Sequence, residues 1–174
     1  MIKNTSLKNK NVLITGGAGF IGSELTKQAL SLGANVSVVD NLVNGKKSNL
    51  NLDDKNLMFY EEDIRNQQVM QNLITKSDYV FNLACLGVRH SIHSPIESHS
   101  VNADATLNLL KISRETNIKK FVHISTSEVY GTAKYVPMTE EHPTAPHTVY
   151  GASKLAGEAY ACLLYTSPSP RDPM

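Results

Sequence analysis

Seven residues, GGAGFIG from Gly16 to Gly22, limit the folds open to this chain more than any other stretch. They follow an apolar run, Asn11 to Thr15 (NVLIT), and lead into a segment where Ile21, Leu25, Ala29 and Leu32 recur every three or four residues. A chain that leaves a strand and enters a helix so abruptly needs main-chain angles and close approaches that side chains forbid, and glycine allows both. The free N–H groups and the dipole at the start of such a helix attract an anion. Gly17, Gly19 and Gly22 satisfy G-x-G-x-x-G, while Gly16, Gly19 and Gly22 satisfy the looser G-x-x-G-x-x-G. Either spacing reads as the cradle of a dinucleotide pyrophosphate.

The remaining sequence repeats the alternation. Strands are expected at Asn35 to Asp40, Leu57 to Glu61, Tyr79 to Ala84 and Phe121 to Ser125. The first helix is expected to end at Gly33, and a short helix falls around Val69 to Ile74. A long one opens with Ser94 as N-cap and Pro95 at its first position and runs through Val101, Ala105, Leu109 and Ile112. A last helix begins near Val149. This order predicts an α/β fold: a doubly wound parallel sheet with helices on both faces. At 174 residues and 41% hydrophobic content, one domain is expected.

With 17 basic and 16 acidic side chains dispersed along the chain, no electrostatic footprint for nucleic acid or an anionic membrane emerges. No run is apolar enough to span a bilayer or to act as a signal peptide, so the chain reads as cytoplasmic. Cys85 and Cys162 lack metal-ligand or CxxC spacing, and His90, His93 and His99 match no zinc pattern, so no metal is expected.

Asp40 closes the second expected strand about twenty residues beyond the glycines, where a carboxylate accepts from the adenosine ribose hydroxyls of NAD and repels the 2′-phosphate of NADP. Tyr150 and Lys154, at i and i+4, share one helix face. An ammonium near a phenol should lower the tyrosine's pKa towards neutrality and fit it to take a proton from a sugar hydroxyl. Tyr-x-x-x-Lys is common by accident; its weight comes from standing downstream of the fifth strand and its polar cluster STSEVYG, which puts Ser125, Thr126, Ser127 and Glu128 at the carboxyl edge of the sheet.

Taken in order from Lys10 to Tyr160, the motifs TGGAGFIG, DNL at Asp40, DI at Asp63, NLAC at Asn82, SIHSP at Ser91, STSEVYG and YGASK resemble the extended short-chain dehydrogenase/reductases. The resemblance is to their NAD-dependent epimerase/dehydratase group, which remodels nucleotide sugars. It implies a Rossmann-type sheet truncated before its sixth strand and substrate-binding region, with 1–161 as an incomplete NAD-binding domain. It implies NAD contacts at Gly16, Gly19, Phe20, Ile21, Gly22, Asp40 and Asn41, an adenine amino contact at Asp63 beside Ile64, and a wall of Leu83 and Ala84. Thr126, Tyr150 and Lys154 become the catalytic triad, Lys154 also holding the nicotinamide ribose. Arg89 and Ser91 approach the substrate diphosphate, and Ser127 stands where dehydratases of this group carry aspartate or serine. Cys85 replaces a usual alanine and Ala105 a usual glycine, both read as packing changes.

The resemblance also bears on the reaction. Glu128 occupies a position that is glutamate in the 4,6-dehydratases and a related decarboxylase and neutral in the 4-epimerases. After oxidation at C4, loss of water across C5 and C6 needs a second acid/base, and a carboxylate beside Tyr150 supplies one. A 4,6-dehydratase is therefore expected, with a 4-epimerase or a decarboxylase as alternatives and a homodimer built on the long helix and the YxxxK helix. A catalytically silent NAD-sensing domain is the non-enzymatic alternative, opposed by the intact Thr126, Tyr150 and Lys154 set. The segment CLLYTSPSPRD, Cys162 to Asp172, matches one reading frame of a transposon-type sequencing adapter, so 162–174 is expected to be an artefactual tail on an N-terminal fragment.

Overall fold

A computed structural model describes residues 7–166. Strands β1 (Asn11–Thr15), β2 (Asn35–Val39), β3 (Leu57–Tyr60), β4 (Tyr79–Asn82) and β5 (Lys120–His123) form one sheet in the order β3-β2-β1-β4-β5. Every neighbouring pair is parallel. Parallel neighbours need crossovers. Helix α1 (Phe20–Ser31) links β1 to β2, α2 (Gln67–Thr75) links β3 to β4, and α3 (Val88–His93), α4 (Pro95–His99) and α5 (Thr106–Arg114) together link β4 to β5. Helix α6 (Val149–Thr166) follows β5. Residues 162–166 of the expected tail thus continue α6, and 167–174 lie outside the described residues.

The β1 sequence shows why both faces are covered. Successive side chains of a strand point to opposite faces. Leu13 accordingly joins a core with Met70, Leu73 and Ile74 of α2 and Leu109 and Ile112 of α5, while Val12 and Ile14 join a second core with Ala29 of α1, Val36 and Val38. A strand buried on both sides must read as an unbroken apolar run, which NVLIT does.

β1 has the range expected, whereas β2, β3, β4 and β5 end one or two residues early and β5 begins one residue early, at Lys120. Asp40, Leu83 and Ile124 each make one more N–H bond, to Tyr60, Thr15 and Asn82 respectively, and then the chain turns away from the ladder. Asp40, Leu83 and Ile124 are thus the last residues bonded to the sheet, and Glu61, Ala84 and Ser125 stand in the loops at its carboxyl edge. Because the chain runs from β1 outward to β2 and β3 and then returns to β4 on the other side of β1, a crevice opens between the two halves at that edge.

Two expectations about the long helix are corrected. Ser94 makes no side-chain cap bond; its N–H donates to the carbonyl of His90 (2.8 Å) and closes α3, a helix in a stretch expected to be loop. Pro95 does begin α4. The segment then widens into π-helix over Ser100–Ala105 before resuming as α5. π-Helical turns are uncommon and concentrate at functional sites. Asn102 lies within this one, fully buried. Its Nδ2 is within hydrogen-bond distance of Leu86 O (2.9 Å), Ser98 Oγ (3.3 Å) and Ser153 Oγ (3.1 Å), and its Oδ1 accepts from the Leu86 N–H (2.8 Å). One side chain therefore ties the loop after β4 to α6, two elements that line the cavity described next.

Candidate active site

A cavity of about 610 Å³ occupies the crevice. Gly16, Gly19, Phe20, Ile21 and Gly22 from the glycine turn line it, with Asp40 and Asn41 after β2 and Asp63 and Ile64 after β3. Leu83, Ala84 and Cys85 follow from β4, then Arg89 of α3, Ser125 after β5, and Tyr150 and Lys154 of α6. The sheet thus brings together residues drawn from more than 130 positions of sequence.

The turn resolves which glycine spacing matters. Gly16 holds a left-handed φ of +69°, and a Cβ there would lie 2.8 Å from the Ala84 nitrogen. A Cβ on Gly22 would lie 2.2 Å from the Gly16 carbonyl oxygen, so close helix–strand packing requires its absence. Gly19 meets only that oxygen, at 3.2 Å, and otherwise faces the cavity. Gly17 packs instead against Val38 and does not line the cavity. The working pattern is G-x-x-G-x-x-G. At its end α1 begins with no side-chain cap on Gly19, leaving the first-turn N–H groups to an external acceptor.

Asp40 is buried, its Oδ2 accepting from the Ala18 N–H (3.0 Å) and its Oδ1 from the Leu42 N–H (2.8 Å). Leu42 is held at φ +61°, a conformation that costs a non-glycine residue on the order of 1–2 kcal/mol. Each carboxylate oxygen of Asp40 keeps a further lone pair for a ligand hydroxyl. Asp63 is held below the ordinary carboxylate range, chiefly by hydrogen bonds from Arg65, a residue to which no motif drew attention.

At the other set of loops Thr126, Cys85 and Glu128 are the neighbours whose polar groups act on the Tyr150 hydroxyl. The expected lowering of the phenol by Lys154 is not found. Burial pushes Tyr150 upward, with Cys85 and Glu128 acting the same way and Thr126 opposing them. Lys154 is itself 2% exposed and lowered by burial, and its Nζ donates to the Ile124 carbonyl (2.5 Å). One of the three ammonium donors is thereby anchored at the residue that follows β5. Cys85, read from sequence as a packing change, is a polar neighbour of the phenol; its position three residues beyond β4 was the available signal.

The other expected residues fall in distinct places. Thr126 accepts from the Glu128 N–H (3.3 Å) and starts a 3₁₀ turn, Ser127–Val129, on which Ser127 and Glu128 are exposed. Ser91 is buried with its hydroxyl donating to the Val88 carbonyl (2.8 Å), so that hydroxyl is spent within α3, whereas Arg89 lines the cavity. His90 pairs with Glu97 (2.9 Å) and His99 with Asp104 (3.5 Å). Ser125 Oγ, also in the cavity wall, is buried without a partner among the described residues.

Beneath this wall, Asn82 Nδ2 donates to His123 Nδ1 (3.2 Å) and Thr15 Oγ1 donates to Asn82 Oδ1 (2.6 Å). An amide nitrogen can only donate, so His123 carries its proton on Nε2. Burial, aided by Lys154, lowers His123 to about 4. The folded protein therefore resists protonating a group that the unfolded chain protonates near 6.5. Stability is unaffected above that value and declines as pH falls from about 6.5 to 4, by about 3 kcal/mol at most. Urea denaturation across this range is expected to show the decline, and His123→Gln to flatten it.

Comparison with known proteins gives these features a context. The family model described as GDP-mannose 4,6 dehydratase matches residues 13–167. A putative UDP-glucose 4-epimerase of Methanocaldococcus jannaschii is 36% identical over 152 residues, covering 86% of this chain and 49% of that protein. Among solved structures, the UDP-N-acetylglucosamine 4-epimerase of Methanobrevibacter ruminantium in complex with UDP-N-acetylmuramic acid superposes with a TM-score of 0.87 at 36% identity, over 92% of this chain and 52% of that one. The dTDP-glucose 4,6-dehydratase DesIV of Streptomyces venezuelae, with NAD bound, gives 0.83 at 32%, over 90% and 52%. The chain spans about half the length of these relatives. By sequence, sheet order and the arrangement of its crevice, this chain belongs to the NAD-dependent epimerase/dehydratase family of the extended short-chain dehydrogenase/reductases.

Proposed function

We propose that this chain is the cofactor-binding half of an NAD-dependent enzyme that oxidises a nucleotide hexose at C4, with loss of water across C5 and C6 as the following step. The observation that carries the reading is the meeting of the glycine cradle with Tyr150 and Lys154 in one cavity. The residues present fit NAD: Gly19 leaves room for a diphosphate, Asp40 offers acceptors to ribose hydroxyls, and Ser125 in the cavity wall carries a buried hydroxyl without a partner among the described residues. Asp40 also disfavours a 2′-phosphate, and of Lys46 and Lys47, which follow it in sequence, Lys47 pairs with Glu61 at 2.6 Å.

When bound, NAD would supply a positive charge that draws the buried phenol down from its raised pKa and would hold the C4 hydride only temporarily, for return to C6 once water has left, with a proton to C5, or to C4 in the epimerase reading. Tyr150 Oη takes the C4 hydroxyl proton, with Thr126 the neighbour that favours its ionised form. Lys154, anchored on Ile124, supplies a fixed donor at the ribose end. Glu128, close enough for its charge to act on Tyr150, removes the C5 proton and assists departure of the 6-hydroxyl. The 4-epimerase reading keeps the first step and omits Glu128; it is favoured by the curated relatives, whose names are UDP-glucose 4-epimerases. Pairing of two copies through α5 and α6 belongs to the same proposal.

The test uses the chain completed with the C-terminal half of the Methanocaldococcus jannaschii relative, incubated with UDP-, dTDP- and GDP-hexoses and followed by NMR. A 4-keto-6-deoxy sugar is expected, and Glu128→Gln should lower its formation by about a hundredfold or more. A C4-inverted hexose without water loss would replace dehydration with epimerisation. Neither product would overturn the reading.

A further inference from the structure

We propose that Arg65 is a positioning residue that sets the base preference of the cavity, by locking the Asp63 carboxylate as a fixed acceptor for an exocyclic amine. The inference rests on the NAD reading above. An ionised carboxylate offers about four acceptor positions, and all of them on Asp63 are taken. Oδ1 accepts from the Arg65 main-chain N–H (2.8 Å) and from Arg65 Nε (2.9 Å). Oδ2 accepts from Arg65 Nη2 (2.8 Å) and from Asn41 Nδ2 (3.0 Å). Three of the four donors come from one residue, and a planar guanidinium fork fixes the carboxylate plane as well as its charge.

The fourth donor is of a different kind. Asn41 contributes a single neutral N–H from the loop after β2, and this is the bond that an incoming ligand can exchange without breaking the fork. Its –NH₂ group is the same type of donor as the amino group on a purine ring. Asn41 therefore stands in, on Asp63 Oδ2, for the amine of a bound adenine. A carboxylate kept ionised accepts that amine and offers nothing to a carbonyl in its place. Arg65 has a second anchor that keeps the fork from swinging: Nη2 lies 3.5 Å from Glu97 Oε1, and the other oxygen of Glu97 lies 2.9 Å from His90 Nε2. Lysine could reach one of these oxygens but could not reproduce the fork.

The experiment is an equilibrium titration of the 174-residue chain with NAD and with nicotinamide hypoxanthine dinucleotide, which carries a carbonyl where adenine carries its amine. Wild type, Arg65→Met and Arg65→Lys are compared, with circular dichroism to verify folding. The wild type is expected to prefer NAD by about tenfold, the worth of one hydrogen bond to a charged group. Arg65→Met should reduce the preference to within about twofold, mainly through weaker NAD binding, and Arg65→Lys should fall between. A folded Arg65→Met that keeps the tenfold ratio, or that weakens both ligands equally, overturns the proposal. Should Arg65→Met fail to fold, the same ratio is read from Arg65→Lys, where full retention overturns it. A wild type that binds neither dinucleotide refutes the NAD reading itself, and this proposal with it.

Discussion

Replacing Tyr150 by phenylalanine in the completed protein should lower turnover by about a thousandfold while leaving NAD affinity unchanged, because general acid–base groups contribute rate and the oxygen is the only atom removed. The ring keeps its half-buried place in the wall. The hydroxyl it loses is the group on which Thr126 and Cys85 act and that burial holds in its protonated form in the cofactor-free protein. That state has a meaning for mechanism. A phenol already ionised would waste its charge before substrate arrived, whereas one held protonated becomes a base only when a cation is brought beside it. Steady-state kinetics on the variant, paired with a titration of the cofactor, check both halves of the statement. Turnover retained within about tenfold would remove Tyr150 from the proton-transfer step.

The second large effect is expected in the glycine turn, where two single-methyl changes should separate folding from binding. In Gly22→Ala the new Cβ would stand 2.2 Å from Gly16 O and 2.7 Å from Gly17 Cα, both main-chain atoms that cannot yield without moving the turn. Overpacking of this kind costs about 1–3 kcal/mol, and the displaced cradle should lose NAD affinity by more than about tenfold. In Gly19→Ala the only close atom is Gly16 O, at 3.2 Å, and the extended backbone at φ −76° suits alanine. That variant should fold with a stability within about 0.5 kcal/mol of the wild type and still bind NAD poorly, since its methyl group fills the space the diphosphate needs. Chemical denaturation and ligand titration on the same preparations provide the two readouts. Normal binding by Gly19→Ala would show that the diphosphate does not lie against this turn.

Much of this was legible in the residues. Four strands fall within the expected stretches and β5 begins one residue before its own, at Lys120, because a sheet covered on both faces demands apolar runs such as VLI, VSVV and YVF. The cavity lining was legible through ordered motifs, since loops at the carboxyl edge converge whatever their separation in sequence. What was not legible depended on local competition. Ser94 carries a capping side chain, yet its N–H is claimed by α3, and nothing in the spacing of α3 announced that helix. The π turn arises where Asn102 holds Leu86 and approaches Ser153, contacts across 16 and 51 residues that no local pattern encodes.

Electrostatics were the least legible. An i,i+4 spacing places Tyr150 and Lys154 on one face but says nothing of the burial that raises the phenol, nor of the Ile124 carbonyl that anchors the ammonium, so the expected lowering is not found. Arg65 was passed over for the converse reason. A DIR tripeptide looks like a strand end followed by solvent, and only the folded loop reveals that the guanidinium turns back on the aspartate two residues before it.

The most direct measurement is a crystal structure of the chain, alone or completed, grown with NAD. The account predicts the diphosphate over Gly16, Gly19 and Gly22, the adenine at Asp63 with Asn41 displaced, and the nicotinamide ring beside Tyr150 and Lys154. A dinucleotide found elsewhere, or one lying in the crevice with its nicotinamide turned away from the phenol, would contradict it.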